Sequence, residues 1–100
     1  MTVRFLRTAE FELDDAIRWY ESQSPGLGNT FLIEVLAATD RIVRHPEAWQ
    51  PLDADVRRYR LSRFPYALIY AAESGDILVL AVAHLHRKPD YWRDRLQHKS

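Results

Sequence analysis

Arg57-Arg58-Tyr59-Arg60-Leu61-Ser62-Arg63-Phe64-Pro65-Tyr66-Ala67-Leu68-Ile69-Tyr70 runs, by way of Glu73-Ser74-Gly75-Asp76, into Ile77-Leu78-Val79-Leu80-Ala81-Val82-Ala83. In the first part Arg58, Arg60 and Ser62 alternate with Arg57, Tyr59 and Leu61, the period of a strand, which puts at least two arginines on one face. Tyr66–Ala71 is rich in strand formers, and Glu73–Asp76 reads as a tight turn. A continuous apolar stretch such as Ile77–Ala83 marks a central strand covered on both faces. Three strands in succession, the last one buried, require a layer to cover the sheet.

The preceding half supplies that layer. Val3–Leu6 reads as a short opening strand, and Thr8 offers an oxygen to cap a following helix whose first turn holds Glu10 and Glu12. Ala9, Leu13, Ala16, Ile17 and Tyr20 form one helical stripe, with Glu12, Asp15, Arg18 and Glu21 off it. Ser24-Pro25-Gly26 ends this helix. A second helix reads from about Asn29 to Arg44 on the stripe Leu32, Val35, Leu36, Thr39, Ile42 and Val43, and His45-Pro46 stops it. The short connection predicts an antiparallel hairpin. Pro46–Asp55 reads as a loop, and Pro89–Leu96 as a short C-terminal helix with Asp90 near the positive end of its dipole. The expected architecture is α+β in the order β-α-α-β-β-β, a small, mainly antiparallel sheet packed against an N-terminal helical hairpin. One domain over residues 1–100 is expected, large enough for a core without staples.

Composition narrows the chemistry. There is no cysteine, so disulfides and thiolate zinc sites are excluded, and no apolar run approaches the roughly 20 residues that span a bilayer. The expected compartment is cytoplasmic, with no membrane partner. Gly26, Gly28 and Gly75 fall in turns rather than in a phosphate-binding loop, so no cofactor is implied. His84 and His86 could share one side of a strand end, with His98 further on, but nothing fixes a third ligand, and no metal is expected.

Charge is the more informative feature. Fourteen basic residues balance fourteen acidic ones, yet residues 1–55 carry a net −5 and residues 56–100 a net +5. Arg57, Arg58, Arg60 and Arg63, joined by Arg87, Lys88, Arg93 and Arg95 and interleaved with Tyr59, Tyr66, Tyr91 and Trp92, form a patch with three readings. Phosphates with stacked bases are one, an acidic protein partner another. The third is pairing with the acidic half of the same chain and packing over aromatic faces. Metal-free RNA cleavage needs a base for the 2′-hydroxyl, an acid for the leaving oxygen and cations for the phosphate. Tyr91, His84, His86 and the arginines are the only supply, and spacing alone does not assemble them.

The stretch from Arg57 to Tyr70, with its Arg63-Phe64-Pro65-Tyr66, and the run His84-Leu85-His86-Arg87-Lys88-Pro89-Asp90-Tyr91-Trp92 resemble the RelE/ParE superfamily of bacterial toxins from type II toxin–antitoxin modules. Ala16-Ile17-Arg18-Trp19-Tyr20, Pro25-Gly26-Leu27-Gly28, Phe31-Leu32 and His45-Pro46 are similar to that superfamily's helical hairpin. The resemblance implies one of two activities, ribosome-dependent mRNA cleavage in RelE-like members or poisoning of DNA gyrase in ParE-like members. Arg58, Arg60, Arg87 and Tyr91 are the candidates if the chain is a ribonuclease. Ala67 and Leu85, however, stand where RelE-like enzymes place phosphate-contacting arginines. Each missing cation removes about 3 kcal/mol of transition-state stabilisation, by analogy with loss of one oxyanion donor. The resemblance therefore favours a ParE-like toxin with no catalytic chemistry of its own, DNA gyrase as target and plasmid stabilisation as the associated role. A RelE-like nuclease acting on the ribosome and mRNA, and an inactive antitoxin-binding relative, are the alternatives. A small cognate antitoxin is the implied partner, and Arg57, Arg58, Arg60, Arg63, His84, His86, Arg87, Tyr91 and Trp92 are the expected target- or antitoxin-binding residues.

Overall fold

The computed structural model describes residues 2–97. Strand β1 (Val3–Phe5) leads directly into helix α1 (Arg7–Gln23), followed by α2 (Leu27–Arg44), β2 (Gln50–Pro51), β3 (Val56–Arg60), β4 (Tyr66–Glu73), β5 (Asp76–His84) and a 3-10 turn over Arg93–Leu96. The five strands form one sheet in the order β1-β5-β4-β3-β2, with β1 parallel to β5 and the remaining neighbours antiparallel. The expected α+β order holds, with one short strand, β2, inside the segment read as a loop. Among the described residues no helix is long and apolar enough to cross a membrane.

Ser74 (φ 49°) and Gly75 (φ 82°) join β4 to β5. Two successive positive φ angles match the right-handed twist of the strands they connect. From Ile77 to Ala83 every residue of β5 is buried, as the apolar run requires. Between the sheet and the hairpin lies an aromatic cluster: Phe31 sits 5.2 Å from Tyr20, 5.0 Å from Phe64 and 5.1 Å from Tyr66, ring centre to ring centre.

Both helix starts differ from the sequence reading. Thr8 caps nothing; α1 begins at Arg7, because Leu6 is buried and its amide is fixed to the Val79 carbonyl (3.0 Å) while its own carbonyl accepts from Glu10 (2.9 Å). The chain turns from strand to helix at the residue the core holds. Helix α2 begins at Leu27 rather than Asn29, behind Gly26 at φ 89°, and the Glu21 carboxylate accepts from the amides of Gly26 (3.0 Å) and Gly28 (3.1 Å). A carboxylate on the preceding helix thus fills the capping role. The buried stripe of α2 is Phe31, Glu34, Val35, Ala38 and Ile42, rotated from the expected one, and Leu36 is exposed. At the C-terminus, Asp90 has φ 65° and no helix runs from Pro89; only the single 3-10 turn forms.

Gly28 belongs to the first turn of α2, not to a loop, and it sets the hairpin's spacing. A Cβ there would lie 2.6 Å from the Ile17 carbonyl oxygen and 3.0 Å from Glu21 Oε1. Because the nearer atom is backbone, Gly28→Ala is expected to push the helices apart and cost about 2 kcal/mol, read as a lower denaturation midpoint.

Candidate functional site

Strand β3 sorts the arginines by alternation. Arg57 and Tyr59 turn toward the helical layer: Arg57 donates to the Trp49 carbonyl (2.8 Å), while Tyr59 accepts from Arg41 (2.9 Å) and packs edge-on against Trp49. Arg58 and Arg60 lie on the opposite face, in register with Ile69 and Ala67. Arg58 donates to Gln50 Oε1 from Nε (3.1 Å) and Nη2 (2.6 Å). Arg60 is exposed and makes no hydrogen bond or ion pair among the described residues. Arg63 leaves the sheet altogether and pairs with buried Glu34 (3.0 Å).

The C-terminal segment is held just as firmly. The Tyr91 hydroxyl donates to Glu12 Oε2 (2.7 Å), and its ring lies beneath the guanidiniums of Arg87 (3.8 Å) and Arg95 (5.0 Å). Burial, reinforced by the Glu12 carboxylate, raises the phenol pKa well above its ordinary 10. Arg95 grips both oxygens of Glu12 (2.8 and 2.9 Å), and Arg93 pairs with Asp53 (2.7 Å). Trp92 is buried, so it serves the core rather than an exposed contact.

One cleft remains on the sheet face away from the hairpin. Its volume is about 180 Å³, and Arg58, Ala67, Ala83, Leu85, Arg87 and Tyr91 are among the residues that line it. Arg60, Ala67 and Ala83 stand in one row across three strands, so the floor beside Arg60 is made of methyl groups. Of the four ribonuclease candidates, Arg58, Arg87 and Tyr91 meet in this cleft and Arg60 is not part of its lining. The tyrosine hydroxyl there is spent on Glu12, and a raised pKa disfavours the phenolate a general base would need. The rings of His84 and His86 lie 5.0 Å apart, but the His86 amide donates to His84 Nδ1 (3.0 Å). Among the described residues no group of three side chains could hold a metal; His98 lies outside them.

A second exposed feature lies on the hairpin, where Phe11 (60%), Trp19 (59%), Ile33 (55%) and Leu36 (55%) keep more than half of their surface in solvent. Large apolar side chains left on both helices are a reason to look for a partner there.

A family model described as the ParE toxin of the type II toxin–antitoxin system, parDE, matches residues 3–89. The chain belongs to the ParE toxin family. No curated protein matches the sequence. Among solved structures, a chain of the chromosomal ParDE TA system from P. aeruginosa is similar, with 19% identity over 84% of this chain and 95% of that chain and a TM-score of 0.73. At that identity the likeness is one of fold. The family match ends at Pro89, so Tyr91, Trp92, Arg93 and Arg95 lie beyond it in this ParE-family chain.

Two residues central to this geometry, Glu12 and Glu34, are not among the sequence candidates. Each does carry a signal. Glu12 lies three residues after buried Ala9 and four before buried Ala16; Glu34 stands in the same relation to Phe31 and Ala38. A carboxylate so placed borders the buried face and needs partners there.

Proposed function

We propose that this ParE-family toxin inhibits growth by acting on DNA gyrase, without catalytic chemistry of its own, and is neutralised by a small cognate antitoxin. The observation that carries the reading is the state of the cleft: methyl and apolar groups at Ala67 and Leu85, and a tyrosine hydroxyl tied to Glu12. Purified chain is expected to block gyrase supercoiling and accumulate cleavage complexes. Unaffected supercoiling, together with mapped transcript ends showing codon-positioned cuts that vanish in Tyr91→Phe, would replace this reading with the nuclease. The antitoxin is expected to cover apolar side chains of the hairpin and to bring carboxylates to Arg60, Arg87 and Lys88, which face solvent. The isolated chain is therefore expected to aggregate at lower concentration than the complex, and light scattering of the two at matched concentration checks this.

A further inference from the structure

Strand β1 pairs with only the first part of β5. The register runs from Val3↔Ile77 to Phe5↔Val79, and the last backbone bond is Leu6 N–H to the Val79 carbonyl. Because α1 starts at once, no strand among the described residues lies beside the outer edge of β5 from Leu80 to His84. An edge of this kind invites another strand unless something covers it.

Side chains cover one step of it. In a parallel ladder the residue opposite position i donates its N–H to the carbonyl of i−1 and accepts from the amide of i+1. Opposite Ala81, Arg95 Nη1 donates to the Leu80 carbonyl (2.9 Å) and Glu12 Oε1 accepts from the Val82 amide (3.0 Å). The Glu12–Arg95 pair thus stands in for one residue of a parallel neighbour, one residue out of step with β1, whose Leu6 bonds opposite Leu80. The shift falls where the β4–β5 register slips between Ile69 and Tyr70 and turns the even-numbered residues of β5 outward. By alternation the next outward-facing groups are the Val82 carbonyl and the His84 amide, since the Leu85 amide points the other way, to the Pro65 carbonyl (2.9 Å). They border a cavity of about 270 Å³ whose walls include Ala16, Trp19, Tyr66 and Arg87.

We propose that this step of the β5 edge is a docking site for an extended segment of the antitoxin, running parallel to β5 and prolonging β1 past the Glu12–Arg95 pair. The proposal rests on the antitoxin reading above. The direction follows from which groups are free. An antiparallel neighbour exchanges both groups of one outward-facing residue, and at each of the two one group is already held, the Val82 N–H by Glu12 and the His84 carbonyl by the Arg87 N–H (3.0 Å); a parallel one needs only the Val82 carbonyl and the His84 N–H. Two copies of this chain paired edge to edge about a two-fold axis would be antiparallel, so the two bonds together leave no complete pair for a second copy. On the α1 side the incoming segment meets Ala16, Tyr66 and the exposed Trp19 with Asp15 beside them, which fits a mainly apolar side chain.

Amide exchange by NMR on the full chain, free and in complex with the antitoxin encoded in the adjacent reading frame, tests this. The His84 amide is expected to slow by at least about tenfold on complex formation, while that of Val82, already held by Glu12, changes little. Trp19→Ala, at an exposed position, is expected to weaken the complex by about tenfold or more and to leave the melting of the free chain unchanged. A complex that forms with His84 exchange unaltered and with full tolerance of Trp19→Ala overturns the docking edge and leaves the antitoxin reading in place. Failure to form any complex overturns both.

Discussion

Replacing Phe31 by alanine is expected to cost about 4 kcal/mol of stability, a large share of the roughly 5–15 kcal/mol that holds a domain of this size together. Phe31 has no exposed surface and touches three rings, Tyr20 on α1, Phe64 in the β3–β4 connection and Tyr66 on β4. Its removal therefore loses the transfer term, leaves a cavity, and deletes three ring contacts each worth about 0.5–1.5 kcal/mol beyond their area. The neighbours have little freedom to collapse into the space, because Gly28 already brings α2 against the α1 backbone and Glu34 fixes the other side of the helix to the loop. Thermal melting is expected to fall by about 15 °C or more in Phe31→Ala, whereas Phe31→Leu, which keeps most of the volume, should lose about 1.5 kcal/mol. An alanine variant within 1 kcal/mol of the parent would mean that the hairpin is attached to the sheet elsewhere.

The elements of this fold were legible because burial follows period. Ile77–Ala83 declares a covered central strand, and the alternation from Arg57 to Leu61 places Arg58 and Arg60 on one face, as observed. What the period does not resolve is rotation about a helix axis: Leu36 and Phe31 both fit a stripe on α2, and the ring with three aromatic partners takes the buried position. Capping by a residue on another element was also illegible, since Glu21 reaches α2 across the turn rather than from its own N-cap. The charge polarity changes meaning once the chain is folded. Glu12, Glu34 and Asp53 of the acidic half bind Arg95, Arg63 and Arg93 of the basic half. Three of the arginines that looked available for a ligand are thereby committed to the chain itself, and the cations left to a partner are chiefly Arg60 beside the cleft and Arg58, Arg87 and Lys88 in its lining.

Glu34→Ala is expected to cost about 3 kcal/mol, because it strands donors rather than merely deleting an attraction. The carboxylate accepts from the Ser62 amide (2.8 Å), the Ser62 hydroxyl (3.3 Å), the Arg63 amide (3.1 Å) and Arg63 Nε (3.0 Å), so one side chain on α2 organises the turn between β3 and β4. Arg63 is largely exposed and can return to water when the pair is broken, which limits the loss from the ion pair itself. The two amides are bound by the fold and have no substitute acceptor among their present neighbours. Burial alone would raise the Glu34 pKa, but the bonds from Arg63 and Ser62 outweigh it, and the net shift is below the ordinary 4.5. A depressed carboxylate contributes stability that is present above its unfolded value and is lost as pH falls through its folded value. The parent should therefore lose stability on acidification below about pH 4.5, and Glu34→Gln, which keeps an acceptor but cannot titrate, should show a flatter acid limb from a lower plateau. Urea denaturation at pH 7 and at pH 3.5 compares the two; equal acid losses in parent and Glu34→Gln would remove Glu34 as the group responsible, and an unchanged midpoint in Glu34→Ala at pH 7 would mean that water satisfies the Ser62 and Arg63 amides as well as the carboxylate does.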